Sequence, residues 1–344
     1  MSAGGTLAVR LPNWLGDAVL ALRAVDALAA HAGPARLTLI ARPWAEPLFG
    51  SRWPGARWLP APAGRGGWPA HVPALAALGA SEIVIFPPSQ SARLHAFFAG
   101  VPRRLGLGGE PLDFLLTHRA PRALRGERHL EDEYLDVARL TGASPVPRLP
   151  LEPDPAARAR VRERLEGDVL VIAPGARYGP AKRWPPERFA EAARLWARAQ
   201  PDPSRARVWI VGGEEDRAPA QAVLAASASA PHATRDLSGR TDLVMLARAL
   251  ERAKAVVSND SGVAHLAAAF DRVVAVIFGS TDPRWTAPRR PHVRVVSEPI
   301  PCAPCFRREC AIADRERCLK GVSAERVAET LLEASGRAHA EARA

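Results

Sequence analysis

Lysine is nearly missing from this chain: of 47 basic residues only Lys182, Lys254 and Lys320 are lysines. The arginine excess leaves a net charge of +11, yet no basic tail or run appears. Residues 1–150 hold 16 Arg and 11 acidic residues, a balance of +5, which leaves +6 for the rest. Nucleic-acid binders concentrate their charge in patches or stripes, so the even spread argues against that class. It fits small anionic ligands, or attraction to an acidic membrane face. No run approaches the roughly 18 apolar residues of a spanning helix. The opening, MSAGGTLAVRLP, lacks the charged and apolar regions of a secretory leader. A soluble, cytoplasmic protein is expected, able to touch the anionic inner face of a membrane peripherally. Neither G-x-G-x-x-G nor G-x-x-x-x-G-K-[ST] occurs, which speaks against a dinucleotide fingerprint and against a P-loop. Cysteine is absent until residue 302.

What is present is an alternation of short apolar runs with helix-compatible segments, expected of α/β architecture. At 344 residues the chain is long for one core and comfortable for two. Apolar runs at Leu7–Leu11, Leu37–Ala41, Ala56–Leu59 and Glu82–Phe86 predict strands, with helices over Ala18–Ala30, Pro73–Leu78, Ala92–Ala99 and Glu131–Leu140. The proline-rich Thr141–Pro155 reads as a linker, placing one domain at 1–150 and another at 151–344. The second half repeats the pattern with strands at Val169–Ala173 and Val208–Val211, and helices at Glu187–Arg198 and Asp242–Arg252.

The most informative stretch is Ser258–Pro283, SNDSGVAHLAAAFDRVVAVIFGSTDP. It reads as strand, polar loop, small-residue helix, strand, polar loop. Parallel sheets bind ligands beyond the carboxyl ends of their strands, where Asp260, Ser261, Gly262, His265 and Thr281 would gather. A helix starting there offers N–H groups and a positive dipole end to an anion such as a phosphate. Helix capping alone is the competing explanation for Asp260 and Ser261. By the same logic Asn13, Gly16 and Asp17 follow the first strand; Asp17 either favours a helix start electrostatically or serves as a general base. Lys182, on a long loop after a strand, suits a phosphate-binding point charge. The acidic group Glu214–Asp216 in the GGEED stretch, Glu215 among it, suits ribose hydroxyls or a helix start. Arg103, Arg104, Arg119, Arg122, Arg125 and Arg128 form either a solvated surface or a polyanion patch. Cys302, Cys305, Cys310 and Cys318 bunch as C-x2-C-x4-C-x7-C, which suggests a structural Zn or Fe site with free thiols or a disulfide as alternatives.

Taken together, RLPNWLGDAVLALRA, PGARYGPAKRWP, DLSGRTDL, SNDSGVAHLAAA, FGSTDPRWTAP and the cysteine pattern resemble, in order, the family 9 glycosyltransferases, the ADP-heptose lipopolysaccharide heptosyltransferases. The opening motif is similar to the branch that adds the second heptose. The resemblance implies a glycosyltransferase B fold of two Rossmann-like domains facing each other across a cleft. The acceptor would bind the N-terminal domain, and the nucleotide-sugar the C-terminal one. It implies inverting transfer of heptose from ADP-heptose to heptosyl-Kdo-lipid A, with no catalytic metal or cofactor. By the same resemblance Asp17 matches the base, Lys182 the diphosphate-binding lysine, Asp260, Ser261, Gly262 and His265 the donor loop, and Glu215 a ribose-binding acid. The alternatives are a family member with a different acceptor, and a non-catalytic nucleotide- or polyanion-binding protein of the same fold.

Overall fold

The computed structural model describes residues 5–62, 68–152, 168–230 and 232–341. The chain divides into two compact units, Met1–Asp154 and Pro155–Ala344. Part of the expected linker, residues 153–155, lies outside the described residues.

The first unit is built on a six-stranded parallel sheet: β1 (Leu7–Arg10), β2 (Leu37–Ala41), β3 (Arg57–Pro60), β4 (Glu82–Ile85), β5 (Arg103–Leu107) and β6 (His118–Ala120), in the order β3-β2-β1-β4-β5-β6. β1, β2 and β4 are buried along their whole length, as expected for parallel strands covered on both faces. On one face Ile40, Ile83, Ile85, Leu75, Val101 and Leu116 form a core. On the other, helix Leu15–Ala32 packs against helix Leu130–Arg139, burying Leu28, Val25, Tyr134 and Val137.

The second unit repeats the design with β7 (Asp168–Ala173), β8 (Ala206–Ile210), β9 (Ala233–Asp236), β10 (Ala255–Asn259), β11 (Val273–Phe278) and β12 (Val293–Ser297), ordered β12-β11-β10-β7-β8-β9. Its core joins Leu170, Ile172, Trp184, Phe189, Trp196 and Leu331. Leu331 comes from helix Ala324–Glu341, which packs against helix Pro186–Arg198 and β11. Each fully buried side chain of this size contributes about 1.5–3 kcal/mol. Truncating Trp196, wholly buried, would cost about 3–5 kcal/mol.

In both sheets the first strand of the unit sits centrally, and the chain then extends the sheet from its other side. The order therefore reverses between β1 and β4, and between β7 and β10. Such reversals open a crevice beyond the carboxyl ends of the strands, where the flanking loops diverge.

Several boundaries differ from the sequence reading, for identifiable reasons. Arg103 and Arg104 belong to β5 rather than a loop. Arg103 pairs with Glu82 at 3.3 Å, and Arg104 Nε donates to Leu115 O at 2.6 Å. Arg122 pairs with Glu110, and Arg128 with Asp136 at 2.6 Å. The arginines of this region are thus spread over strands and loops, and Arg103, Arg104, Arg122 and Arg128 are engaged in intramolecular bonds, which favours the solvated surface over a polyanion patch. Strands β9 and β12 and the C-terminal helix have no counterpart in the apolar runs. The two strands lie at sheet edges, half exposed, and carry Arg235 and Arg294.

Candidate active site

In the second unit the switch-point loops are Pro174–Pro185, after β7, and Asp260–Ser261, after β10. A salt bridge joins them: Lys182 Nζ lies 2.5 Å from Asp260 Oδ2, with side chains 12% and 5% exposed. Thr281 Oγ1, from the loop after β11, donates to the same oxygen at 2.6 Å. Three adjacent strand ends therefore converge on one carboxylate. Asp260 does not cap the following helix through its side chain. The N-cap of helix Gly262–Ala269 is Ser261, which makes no side-chain cap bond; its hydroxyl instead meets Ser258 Oγ at 3.0 Å. The N–H groups opening this helix thus have no intrahelical partner and, among the described residues, no cap from the N-cap side chain. His265, on its first turn, is buried.

The lysine loop is held from several directions. Trp184 is buried in the core, its backbone N–H donating to Asn259 Oδ1 at 3.0 Å and its indole N–H to Val322 O at 3.1 Å. Asn259 Nδ2 donates to Pro174 O at 2.7 Å, tying the start of the loop to β10. Tyr178 places its ring centroid 4.8 Å from Lys182 Nζ and donates its hydroxyl to Phe306 O at 2.5 Å. Ala181 N–H donates to Arg308 O at 3.0 Å. Gly179 has φ +156°, and a Cβ there would lie 2.4 Å from Arg308 O. Only glycine satisfies both demands.

Glu215 is exposed and 3.9 Å from Arg177 Nε. The neighbouring Asp216 sits deeper, packed so closely on Gly175 that a Cβ at that glycine would lie 2.1 Å from the carboxyl carbon. Burial pushes the Asp216 carboxyl up, and the bond from Gly213 N–H, at 3.0 Å, opposes the shift. Among the described residues Asp216 Oδ1 has no hydrogen-bond partner. Tyr178, Trp184 and Asn259 carry no assigned role in the sequence reading, whereas Asp216 belongs to the acidic group Glu214–Asp216 that closes β8 and is expected to suit ribose hydroxyls or a helix start.

The four cysteines are free. Cys302 and Cys305 are exposed, Cys310 is half-buried and Cys318 is buried. Burial pushes the Cys318 thiol up, and Cys302, Cys305 and Cys310 push in the same direction. Among the described residues no group of three or more His, Cys, Asp or Glu side chains is disposed to hold a metal. The expected Zn or Fe site is therefore not supported by the arrangement. Two thiols face solvent while a third is buried, which is not a closed tetrahedral shell. What the segment does provide is main-chain contact: Phe306 N–H donates to Ser280 O at 2.6 Å, beside the carbonyls that receive Tyr178 and Ala181.

In the first unit the loop after β1 carries Asn13 and Trp14, both exposed, and helix Leu15–Ala32 follows. Gly16 and Asp17 are half-buried in the first turn of that helix. Its N-cap, Trp14, makes no side-chain cap bond. Burial, followed by the charges of Asp17 and Glu133, pushes the Tyr134 phenol well up, which places the Asp17 carboxylate within electrostatic reach of Tyr134. The glycosyltransferase family 9 (heptosyltransferase) model matches residues 90–314, well over half of the sequence. The chain belongs to glycosyltransferase family 9.

Within that family it is similar to lipopolysaccharide heptosyltransferase 2 of Salmonella typhimurium, 29% identical over 83% of this chain and 86% of the relative. The enzyme of the same name from Escherichia coli matches at the same identity and coverage. Among solved structures, E. coli ADP-heptose lps heptosyltransferase II superimposes with a TM-score of 0.78 at 25% identity, covering 97% of this chain and 99% of that one. The fold of this family 9 glycosyltransferase is therefore the two-sheet α/β fold of the heptosyltransferases. Among its described residues no helix is long and apolar enough to cross a membrane.

Proposed function

We propose that the protein transfers heptose from ADP-heptose to the inner core of lipopolysaccharide, adding the second heptose to heptosyl-Kdo-lipid A. The observation that carries the reading is the Lys182–Asp260–Thr281 convergence at the switch point of the second sheet, beside a helix whose opening N–H groups have no cap from the N-cap side chain. Such an arrangement suits a diphosphate that gains charge as it leaves. Lys182 would exchange Asp260 for the phosphate oxygens, and the N–H groups at Gly262 would meet the same charge, stabilising it where it develops. Asp260, Ser261, Gly262, His265 and Thr281 would line the donor site. Asp216, deeper than Glu215 and with one oxygen unpartnered among the described residues, joins Glu215 as a candidate for the ribose hydroxyls.

Asp17 would take the proton of the acceptor hydroxyl as that oxygen attacks the anomeric carbon; the bond to the diphosphate breaks on the opposite face, through an oxocarbenium-like state. The net charge of +11 would draw the protein to the anionic membrane face that displays the acceptor. Mass spectrometry of a reaction containing ADP-heptose and heptosyl-Kdo-lipid A tests the reading. A gain of one heptose, lost in Asp17→Asn, is expected. No gain, with ADP-heptose still raising Tm, would overturn the acceptor assignment; no gain and no Tm shift would overturn the transferase reading altogether.

A further inference from the structure

The first unit has its own switch-point crevice, and it holds a cavity of about 760 Å³. Arg10 and Asn13 from the end of β1 line it on one side; Ser89, Gln90, Ser91 and His95, from the loop after β4 and the helix Gln90–Phe98, line the other. Arg10 is 7% exposed. Its partners are all neutral: Leu11 O, Ile40 O at 3.3 Å and Asn13 Oδ1 at 2.6 Å. Among the described residues no carboxylate forms an ion pair with it. A buried guanidinium without a counter-ion is costly. Burial, then the charge of Arg42, lowers the Arg10 pKa to about 10. Burial, then His95 and Arg10, lowers His71 to about 4, and His95 is lowered by burial and by Arg10. The imidazoles stand 5.1 Å apart; lowered in this way they stay neutral near pH 7, and the positive charge at the crevice is that of the Arg10 guanidinium.

The helix opening at Gln90 adds to it. Ser89 caps the N–H of Ala92 at 3.4 Å. The N–H groups of the two residues before Ala92 have no intrahelical acceptor, and both residues line the cavity. A buried cation with neutral partners and a helix N-terminus turned on one space is a receptor for a small oxyanion.

We propose that this cavity is an anion subsite that seats a carboxylate or phosphate group of the acceptor, held by the Arg10 guanidinium and the N-terminus of helix Gln90–Phe98. The assignment of the anion to the acceptor rests on the transferase reading above; the anion subsite itself does not. Asn13, which lines it, lies in the loop that leads from β1 into the helix carrying Asp17, and a group bound there would orient an acceptor toward that carboxylate. The subsite also replaces the arginines at 103–128 as the place where the first unit takes negative charge.

The test uses the full chain with 13C-labelled histidine, following the His71 and His95 ring resonances by NMR. The probes are inorganic phosphate, the methyl glycoside of an ulosonic acid, and that glycoside with its carboxylate reduced to an alcohol. Saturable shifts with the carboxylate but not the alcohol support the proposal with a sugar acid as source; shifts with phosphate alone support it with a phosphate ester. Ser91→Glu, a helix-compatible change near the N-terminus where a carboxylate is favoured, should occupy the site and weaken either probe at least tenfold. Arg10→Gln should abolish the response. In the transfer assay Ser91→Glu should raise the acceptor KM about tenfold with kcat unchanged. No ring shift with any probe, or equal shifts in Ser91→Glu, overturns the subsite even if heptose transfer is observed. Shifts lost in Ser91→Glu alongside no transfer by the unaltered protein would uphold the subsite and refute the transferase reading instead.

Discussion

Replacing Lys182 by Met asks two separate questions of the same side chain. In the folded protein Asp260 is 5% exposed at its side chain and its oxygen Oδ2 is shared between Lys182 Nζ and Thr281 Oγ1. Removing the lysine leaves a buried carboxylate with a hydroxyl as its remaining side-chain partner, which costs about 3 kcal/mol for a broken buried pair. For a unit of this size that lowers Tm by about 6–12 °C. Asp260→Asn should cost less, about 1–2 kcal/mol, because the lysine can swing toward solvent and Thr281 keeps an acceptor. The double variant Lys182→Met with Asp260→Asn removes the orphaned charge, so it should be at least about 1 kcal/mol more stable than the sum of the singles implies. Urea unfolding followed by tryptophan fluorescence, with Trp184 and Trp196 buried in this unit, reads all four corners of the cycle. Steady-state transfer is measured on the same proteins. If Lys182 meets the leaving diphosphate, the double variant regains stability while turnover stays reduced about a hundredfold or more. Additive stabilities within about 0.5 kcal/mol would refute the coupling. Turnover that recovers together with stability would reduce Lys182 to a strut for the loop.

Gly179→Ala forces a Cβ against Arg308 O in a left-handed region of backbone space, so the lysine loop must shift; a rise in the KM for ADP-heptose of about tenfold with a modest loss of Tm is expected, and an unchanged KM would show that the loop position is not critical. For pH dependence, His71 resists protonation when folded, with a pKa of about 4, while the unfolded chain protonates near 6.5. As pH falls from 6.5 toward 4 the unfolded state therefore takes up a proton that the folded state refuses, and stability declines by at most about 3 kcal/mol from this group. Glu133 and Asp216, pushed up mainly by burial, act in the opposite sense only as pH nears the ordinary carboxylate range. Unfolding midpoints at pH 7 and pH 5.5 should thus differ in the parent and differ less in His71→Phe; an equal slope in both would remove His71 from the account. Ellman titration of the native protein should label Cys302 and Cys305 rapidly and Cys318 only on unfolding. One equivalent of Zn or Fe per chain, with all four thiols protected, would instead restore the closed metal site.

The parts legible in the sequence were those that announce themselves locally. Buried central strands such as Val169–Ala173 and Val273–Phe278 are uninterrupted apolar runs, and the glycines and prolines after them mark the loops. β5 was hidden because its first two residues are Arg103 and Arg104, whose stems lie along the sheet while their heads find Glu82 and main-chain carbonyls. β9 and β12 were hidden because an edge strand buries too little to require an apolar run. At the candidate site, Lys182 stood out through rarity and Asp260 through its loop, but their pairing could not be seen: 78 residues separate them, and nothing local encodes which strand ends become neighbours. Arg10 was overlooked for a related reason. A basic residue closing an apolar strand reads as surface until the crevice around it is known.

The segment bearing the four cysteines holds the lysine loop through the carbonyls of Phe306 and Arg308. A carbonyl is supplied by every amino acid, so selection acting on the position of Lys182 leaves the letters at 306 and 308 free to drift so long as the path of the chain persists. Homologues with unlike spellings across this stretch can share one anchored lysine, and an insertion of a single residue there should do more damage than most substitutions.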